Sequence, residues 1–413
     1  MKDLFIIAGF RTPFIRMGTD FDGLSAADLG RHVCSALLAR TGIDPGRLSE
    51  VIFGCVAQPP DSANVARIIA LRAGIPAHVP AATVHRNCAS GMEAITTAHQ
   101  RLAAGMGDLF LVGGAESMSQ VPLFYPHRTA GKFGALAKAK SAGAKLGAMT
   151  AFRPIDFKPQ IGLQLGLTDP FSGMIMGDTA EVLAREHGIT RGMQDEFAAV
   201  SHLKALAARD AMDAEIAPVF VDGKAVSRDN GIREDSTVEK LAKLKPIFDR
   251  QTGTVTAGNS SQITDGAVAL LVGDEAAVRH LGIEPMGRLV SYAYAGCDPA
   301  RMGLGPVHAI ALAKQRGGLS PADADVIEIN EAFAAQVLAV LAHLRKYGER
   351  DEIDASRINQ RGGAIALGHP VGATGARLVL TALHQLKATG GRRALVTLCV
   401  GGGQGAALWL ERT

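Results

Sequence analysis

The sequence is poor in cysteine and in aromatic residues. Of its 413 residues only 5 are cysteines, and Phe, Trp and Tyr together make up 5%. The cysteines are Cys34, Cys55, Cys88, Cys297 and Cys399. An odd and widely spaced set of thiols argues against the disulfide framework of a small secreted protein and fits a reducing compartment, so we expect a cytoplasmic protein. With few aromatics, the core must be built mainly from Ala, Val, Leu and Ile.

Several other signals are missing from the sequence. No apolar run reaches the roughly 18 residues that a membrane span needs. The apolar run in MKDLFIIAGFRTPF is too short for a signal peptide and predicts a first strand instead. No C-x-x-C pair is present, and no G-x-G-x-x-G follows the first strand, which argues against a dinucleotide site. The net charge of +3 is spread along the chain and gives no sign of a nucleic-acid surface.

Glycine, in contrast, is abundant, and strands alternate with helices. The 48 glycines indicate many tight turns and close backbone approaches. Ser25 is a plausible N-cap for the first helix, and Gly105 ends the second. The predicted strands span 4–8, 51–55 and 109–112, and the predicted helices span 25–39 and 90–104. This alternation predicts crossover connections and a mostly parallel sheet.

The second half of the chain repeats the order of the first. The segments RTGIDPGRLSEVI (40–52) and RGGLSPADADVI (316–327) each contain a helix end, a glycine, a proline and a strand. Residues 91–113 and 375–399 each contain a helix, glycine and an apolar strand. Several units agree in the same order, which favours duplication over chance similarity, so we expect two similar α/β halves that pack together.

Between the halves the pattern changes. The run KFGALAKAKSAGAK (132–145) is basic and rich in small residues, and 153–173 contains prolines and little periodicity. Two helices are predicted after it, over 178–187 and 194–210. An excursion of this length is usually functional or forms its own subdomain. The alternative for the lysine-rich run is a solvated helix face.

Three segments carry residues suited to chemistry. Cys88 lies in RNCASGME, His369 in GHPVGATG and Cys399 in CVGGGQG. Cys88 and His369 each precede a predicted helix. A helix N-terminus lowers the pKa of a thiol there and presents backbone N–H groups to a developing oxyanion.

Each of these segments also has a simpler interpretation. A lone cysteine is usually a small buried residue, a lone histidine in a turn is usually a surface residue, and a glycine run is weak evidence for phosphate binding. In a duplicated α/β protein, however, Cys88 and His369 occupy matching strand-to-helix junctions, where parallel sheets bind ligands. A Cys–His pair activates a nucleophile, and Cys399 can move a proton. Zinc binding by two thiols and an imidazole is the alternative, although the short ligand spacing of zinc sites is missing.

Motifs along the whole chain resemble those of the thiolase family. In order they are NCASG (87–91), GGAESMS (113–119), MGDTAE (176–181), GTVTAGNSSQITDGA (253–267), MGLGP (302–306), NEAFA (330–334), GHPVGATG (368–375) and CVGGGQG (399–405). A single such motif is weak evidence, but the full set in this order is specific.

The resemblance implies a fold and a reaction. The fold would be two duplicated α/β/α halves in a five-layered α/β/α/β/α arrangement with an inserted loop domain. The implied domains are an N-terminal half (1–118 plus 252–282), an inserted CoA-binding domain (119–251) and a C-terminal half (283–413). The implied reaction is thiolytic cleavage of 3-ketoacyl-CoA by CoA, which gives acetyl-CoA and an acyl-CoA two carbons shorter. This acyltransferase reaction belongs to fatty-acid β-oxidation, and it requires no metal or redox cofactor.

The resemblance also implies catalytic roles. Cys88 would attack the 3-keto carbon and hold the acyl group as a thioester. His369 would take the proton of Cys88 and help bind the thioester oxygen, and Asn330 would position a water at the same oxyanion site. Cys399 would protonate the leaving enolate and then deprotonate the incoming CoA. The backbone N–H groups of Cys88 and Gly401 would form the second oxyanion hole.

The resemblance to the thiolase family also implies contacts with the substrate. Ser261 would contact the pantetheine arm of CoA, and Arg233 would lie along its adenine. Met176 and Met302 would line the acyl pocket, with Phe333 close by. The alternative for the two methionines is a core position, and for Arg233 a solvated surface position.

Other features bear on the subgroup and partners. Ile175 stands where acetoacetyl-CoA-specific thiolases usually carry His, which favours a degradative enzyme of broad or longer chain length. Residues 138–154 and 230–246 look like the β-subunit of the trifunctional β-oxidation complex, although that group often has His where this chain has Asn330. We therefore expect a homodimer or homotetramer, with a hydratase/dehydrogenase subunit as a possible partner.

Three competing functions stay open at this point. The first is an acetoacetyl-CoA thiolase working in the condensation direction. The second is a ketoacyl-ACP synthase, which pairs its cysteine with two histidines. In this chain the GHP motif supplies one histidine, and Cys399 occupies a different position from the second. The third is a non-catalytic subunit or scaffold, which the presence of Cys88, His369 and Cys399 argues against.

Overall fold

Strands and helices alternate along the chain in a computed structural model that describes residues 3–413. The strands are β1 (Leu4–Arg11), β2 (Ile15–Arg16), β3 (Glu50–Gly54), β4 (Ala81–Val84), β5 (Leu109–Glu116), β6 (Leu123–Phe124), β7 (Gln160–Ile161), β8 (Val219–Val221), β9 (Lys224–Val226), β10 (Thr264–Gly273), β11 (Gly287–Gly296), β12 (Val326–Ile329), β13 (Arg393–Val400) and β14 (Gln404–Glu411). The α-helices are α1 (Ala26–Thr41), α2 (Val65–Arg72), α3 (Ser90–Ala103), α4 (His127–Lys138), α5 (Ala142–Thr150), α6 (Gly162–Gly166), α7 (Met176–Glu186), α8 (Arg191–Ala207), α9 (Arg209–Met212), α10 (Val238–Leu241), α11 (Glu275–Leu281), α12 (Gly305–Gly317), α13 (Ala334–Leu344), α14 (Ala364–Leu367) and α15 (Val371–Thr389).

Local sequence signals place the first helices correctly. Ser25 is the N-cap of α1, and its side chain forms a capping box with Asp28. Gly105, with a φ of 73°, follows the end of α3. The helices predicted over 25–39 and 90–104, and the two predicted after the proline-rich segment, are confirmed to within a few residues.

The main sheet has ten strands in the order β12-β13-β14-β11-β1-β10-β5-β3-β4, with β2 paired to β10. The pairs β3–β4, β3–β5 and β12–β13 are parallel. The pairs β1–β10, β1–β11, β5–β10, β11–β14 and β13–β14 are antiparallel. The prediction of a mostly parallel sheet is therefore wrong. One reason is that β13 returns directly into β14 through the three residues 401–403, a hairpin that needs no crossover helix.

The two halves of the chain share one topology, which confirms the predicted duplication. The first half has the strand order β1-β10-β5-β3, and the second has β11-β14-β13-β12. The edge strand β4 also has a counterpart, because Ile358 forms an isolated parallel bridge to Ile327 of β12. The half-sheets join through three residue pairs between β1 and β11.

The helices and half-sheets form the five predicted layers. α3 and α15 lie in the middle layer, where Met92 and Leu383 belong to one apolar core with residues from both half-sheets. α1 and α2 cover the outer face of the first half-sheet, and α12 and α13 cover the outer face of the second. Each fully buried Leu, Ile or Met side chain in these cores stabilises the fold by about 1.5–3 kcal/mol.

Two strands run further than predicted, and β1, expected over 4–8, continues to Arg11. The strand expected over 109–112 continues to Glu116 as β5, so Gly113 and Gly114 lie inside it. A methyl group on Gly113 would lie 1.9 Å from the carbonyl oxygen of Val268, and one on Gly114 would lie 2.0 Å from that of Gly372. The glycines thus permit close packing of neighbouring backbone and do not mark a turn.

Residues Val121–Thr168 form a compact unit of their own. Its aromatic cluster includes Phe133 and Phe152, whose ring centroids lie 4.9 Å apart. Lys132 donates to Asp156 at 2.6 Å, and Asp156 is the one acidic residue beside seven lysines and arginines in this segment. Lys138, Lys140 and Lys145 are exposed, which favours the solvated interpretation of the lysine-rich run.

The predicted domain boundaries at 118, 251 and 282 stay predictions, as does the CoA-binding role of residues 119–251. Across residues 3–413, none of the helices combines the length and apolar character that crossing a membrane requires.

Candidate active site

Cys88 occupies a tight turn between β4 and α3. Asn87, directly before it, has a φ of 42°, in the left-handed region. The turn is held by Ser90, whose hydroxyl donates to the carbonyl of Asn87 at 2.7 Å and accepts from the backbone N–H of Arg86 at 2.9 Å. The Cys88 side chain is partly exposed. The turn therefore places the thiol at the start of α3, as predicted.

Two opposing effects act on the Cys88 thiol. Burial raises its pKa, while hydrogen bonds from the backbone of Gly401 and of Cys88 itself lower it, and the nearby Glu116 carboxylate raises it further. The net direction is upward, so the expectation of a lowered thiol pKa at this helix N-terminus is wrong, because burial outweighs the backbone groups, and the thiol is protonated at neutral pH. A base is needed to turn it into a nucleophile.

His369 meets the requirements for that base. It precedes α15 and is 9% exposed. Burial, and to a smaller extent the charge of Arg377, lower its pKa to about 4. The imidazole is therefore neutral at neutral pH and can accept a proton.

The hydrogen bonds of Thr374 assign the tautomer of this imidazole. The Thr374 hydroxyl donates to the carbonyl of Pro370 at 3.0 Å, so its single hydrogen is used. Both contacts of this hydroxyl are satisfied together only when it accepts from His369 Nδ1, which lies 2.6 Å away. Nδ1 carries the proton, and Nε2 keeps its lone pair. Nε2 is buried and has no hydrogen-bond partner within residues 3–413.

Cys399 lies at the end of β13 and is buried. Burial raises the pKa of its thiol well above the ordinary value, and the charges of Cys88 and Cys297, when ionised, add to this effect. Cys399 is therefore protonated at neutral pH, and its segment lies beside the Cys88 turn, because Asn87 donates to Gly401, two residues after Cys399, at 2.7 Å. The half-buried thiol of Cys297 also acts on Cys399, and no motif in the sequence marks it.

Gly401 begins the turn between β13 and β14. Its carbonyl accepts from Nδ2 of Asn87 at 2.7 Å, and hydrogen bonding from its backbone opposes the rise in the pKa of the Cys88 thiol. The structure therefore brings together Cys88, Cys399 and Gly401. The N-terminal turns of α3 and α15 also lie side by side, because a methyl group on Gly91 would lie only 3.1 Å from the carbonyl oxygen of Gly372.

Asn330 follows β12 and is fully buried. Its backbone N–H donates to Thr397 at 3.0 Å, but its Oδ1 and Nδ2 lack a hydrogen-bond partner in the described part of the protein. The next residue, Glu331, accepts from Ser201 and from Asn359, both at 2.7 Å, which fixes this loop. A buried amide with free polar atoms fits a group that holds a water or a substrate oxygen.

Met176, Met302 and Phe333 belong to one apolar cluster. A methyl group on Gly401 would lie 3.4 Å from the sulfur of Met176, which places this cluster beside the thiols. Phe248 also belongs to it, with its ring 6.1 Å from that of Phe333 and nearly perpendicular to it. Sequence reasoning missed Phe248, because nothing in its local sequence predicts that it packs here.

The two predicted CoA contacts differ in their exposure to solvent. Ser261 is partly exposed, and its N–H donates to Ala332 at 2.9 Å, next to the strand bridge between Ser260 and Phe333. Arg233 is exposed, with its N–H donating to His202. The position of Arg233 is compatible with both alternatives, a ligand contact or a solvated residue.

Sequence reasoning also missed Glu116, although its GGAESMS motif was noted. This buried carboxylate accepts from the backbone N–H groups of Val56 (3.0 Å), Ala57 (2.9 Å) and Gly372 (2.8 Å). It thereby ties the loop after β3 to the first turn of α15. Its pKa is raised by burial, which these hydrogen bonds partly oppose.

A duplicated five-layered α/β fold, with two neighbouring thiols beside the N-termini of its central helices, defines a class of cysteine-dependent acyltransferases. The family models agree. "Thiolase, N-terminal domain" matches residues 4–276, and "Thiolase, C-terminal domain" matches residues 283–412. The chain belongs to the thiolase family.

Individual relatives match along their whole length. A 3-ketoacyl-CoA thiolase of Pectobacterium atrosepticum is 40% identical, covering 98% of this chain and 96% of that protein. An acetyl-CoA acetyltransferase of Cupriavidus necator is also 40% identical, covering 100% of both. The structure of human mitochondrial 3-ketoacyl-CoA thiolase in complex with CoA matches with a TM-score of 0.88 at 36% identity, covering 100% of this chain and 98% of that one.

Proposed function

We propose that the protein is an acetyl-CoA C-acyltransferase that cleaves 3-ketoacyl-CoA with CoA. The observation that carries this proposal is the Cys88 thiol at the start of α3, because the 2.7 Å hydrogen bond from Asn87 to Gly401 joins its turn to the segment that holds Cys399. Membership of the thiolase family supports the reaction class.

The first half-reaction forms an acyl-enzyme. Nε2 of His369 accepts the proton of Cys88, and the thiolate attacks the 3-keto carbon of the substrate. The bond between C2 and C3 then breaks, and the electron pair leaves with the acetyl-CoA enolate. Cys399 gives its proton to that enolate, which releases acetyl-CoA and leaves Cys399 as a thiolate.

The second half-reaction transfers the acyl group to CoA. The Cys399 thiolate takes the proton of the CoA thiol, and the CoA sulfur attacks the thioester carbon. Cys88 leaves as a thiolate and recovers its proton from His369. Every proton returns to its starting position, so the scheme balances without a metal or a redox cofactor.

Two sets of groups stabilise negative charge on oxygen in this scheme. The backbone N–H groups of Cys88 and Gly401 donate to the tetrahedral oxyanion at the acyl carbon. His369, together with a water held by Asn330, donates to the thioester oxygen of the leaving enolate. The free polar atoms of the buried Asn330 side chain support its assignment to this second site.

The apolar cluster of Met176, Met302 and Phe333 would receive the acyl chain, because it lies beside Gly401. Ser261 would contact the pantetheine arm, and Arg233 the adenine end of CoA. We further propose a degradative, β-oxidation role in the cytoplasm and a homodimeric or homotetrameric assembly. The apolar Ile175 at the N-cap of α7 and the 3-ketoacyl-CoA thiolase relatives support this subtype.

Condensation of two acetyl-CoA molecules is the second candidate. It is favoured by a relative named acetyl-CoA acetyltransferase that is as similar as the 3-ketoacyl-CoA thiolases. A chain-length series separates the two. Purified protein and CoA are mixed with 3-ketoacyl-CoAs from the four-carbon substrate upward, and substrate loss is followed.

If the protein is degradative, we expect turnover to continue or to rise with chain length. Activity confined to the four-carbon substrate would instead classify the protein as an acetoacetyl-CoA thiolase. Cys88→Ala should abolish turnover at every length. Cys34→Ala, which alters a buried thiol in α1, is the matched control and should keep it. If the wild-type protein turns over no substrate and Cys88 is not acylated, the enzymatic proposal is wrong and a non-catalytic subunit is favoured.

A further inference from the structure

We infer that Asn87 is a positioning residue that holds Gly401 in place as an oxyanion donor. The inference rests on the proposed function, because it concerns the oxyanion formed when Cys88 is acylated. Two independent observations carry it, the left-handed backbone of Asn87 and the hydrogen bond from its side chain to Gly401.

The two donors of this oxyanion hole come from distant parts of the chain. One is the N–H of Cys88, and the other is the N–H of Gly401, more than 300 residues later. Asn87 is the immediate neighbour of Cys88, and its Nδ2 donates to the carbonyl oxygen of Gly401 at 2.7 Å. This hydrogen bond therefore links the two segments whose separation sets the size of the oxyanion hole.

The Gly401 segment needs such a link. Residues 401–403 are all glycine, so no side chain packs to fix them, and Gly402 and Gly403 have φ values of 85° and 81°. The far end is fixed by the N–H of Cys297, which donates to the carbonyl of Gly403 at 2.8 Å. Asn87 fixes the near end. The hydrogen bond holds the peptide group that follows Gly401 against the Cys88 turn, and so limits how far the Gly401 backbone can move away from Cys88.

The backbone of Asn87 explains why this residue type suits the position. Among residues 3–413, the non-glycine residues with positive φ are Asn87, Asp222 and Asn359. Asparagine tolerates the left-handed region better than most residues, because its short polar side chain suffers little steric conflict there. Glycine would also adopt this φ but would supply no donor. Asparagine meets both requirements, the backbone of the turn and the link to Gly401.

The test compares two reactions of the same thiol. Acylation of Cys88 by an acyl-CoA thioester builds an oxyanion, whereas alkylation by iodoacetamide displaces iodide from carbon and builds none. Both are followed by mass spectrometry of the intact protein. Alkylation is measured across pH, so that the limiting rate of the thiolate is compared. The ratio of the acylation rate to the alkylation rate then measures the contribution of the oxyanion hole separately from the reactivity of the thiol.

Two variants remove the link in different ways. Asn87→Gly keeps the left-handed turn but has no side chain. Asn87→Asp keeps the shape but places an acceptor against the carbonyl of Gly401. We expect acylation to fall roughly 10- to 100-fold in both, below the ~10²–10³-fold of a deleted donor because Gly401 is displaced and not removed. The limiting alkylation rate should stay within about twofold, and kcat should fall more than KM rises.

Gln404→Ala is the matched control. It removes another contact between the same segments, the 3.2 Å hydrogen bond from Arg86 to Gln404, and leaves Asn87 intact. Its rate ratio should equal that of the wild type. The inference is overturned if acylation and alkylation fall together in the Asn87 variants, if neither falls, or if Gln404→Ala changes the ratio equally. A wild-type protein that is alkylated at Cys88 but never acylated would instead refute the proposed function itself.

Discussion

Gly91 of α3 and Gly375 of α15 meet backbone to backbone at the centre of the protein. A methyl group on Gly91 would lie 2.6 Å from the backbone nitrogen of Ala376, and one on Gly375 would lie 2.8 Å from that of Met92. The two helices start just after Cys88 and His369. This contact therefore decides how close the thiol and the imidazole can come.

Gly375→Ala should impair both stability and catalysis. The added methyl group meets backbone atoms that cannot move aside, so we expect a loss of about 1–3 kcal/mol in the free energy of unfolding. The thiolysis rate should fall more steeply than stability alone explains, because α15 carries His369. Urea unfolding and kcat measure the two effects. Gly192→Ala in α8 is the control, since its methyl group would enter open space near Thr190, and equal losses in both variants would contradict the prediction.

Thr374→Val should slow the reaction by freeing the imidazole to change its tautomer. Valine has nearly the shape of threonine but cannot accept from His369 Nδ1. We expect kcat to fall about tenfold or more, while Thr374→Ser, which restores the acceptor, recovers most of it. ¹⁵N NMR of His369 should show the proton on Nδ1 in the wild type and a mixture in Thr374→Val. A wild-type spectrum and rate in Thr374→Val would refute this role.

His369 should make the protein less stable at acidic pH. Its folded pKa is about 4, below the unfolded value of about 6.5. Between these values the unfolded chain binds a proton that the folded protein does not, so the free energy of unfolding decreases as the pH falls through this window. Above the window the contribution of the neutral His369 is fully present. The integrated effect is of the order of 3 kcal/mol.

The measurement is the free energy of unfolding against pH for the wild type and for His369→Gln. The wild type should lose more stability than the variant between pH 6.5 and 4, because glutamine does not titrate. Parallel curves for the two proteins would show that His369 is not buried as a neutral group.

Glu116→Gln should destabilise the protein by about 1–3 kcal/mol. Three backbone N–H groups donate to the carboxylate, and an amide has only one oxygen to accept from them. Urea unfolding measures the loss. Glu275→Gln, which breaks the exposed ion pair with Arg279, should cost well under 1 kcal/mol. A similar cost for both variants would mean that Glu116 does not hold α15.

Local features of the fold could be predicted from the sequence because their causes lie within a few residues. Ser25 and Asp28 form a capping box three residues apart, and apolar spacing marks α1 and α3. The duplication was visible because each half repeats the same short signals. The mostly parallel sheet was predicted wrongly, since strand direction depends on which distant strand each one meets.

The candidate site divides in the same way. The sequence by itself determined which residue types stand at the starts of α3 and α15 and in the turn after β13, so Cys88, His369, Cys399 and Gly401 could be named in advance. Only the tertiary structure decided that Asn87 reaches Gly401, that Thr374 orients His369, that Glu116 ties α15 to the loop after β3, and that Phe248 packs against Phe333. The reason is physical. A hydrogen bond of 2.7 Å or a ring contact depends on where the backbone places two groups. These partners, apart from Thr374, lie far apart in sequence, so no local sequence pattern predicts that they come into contact.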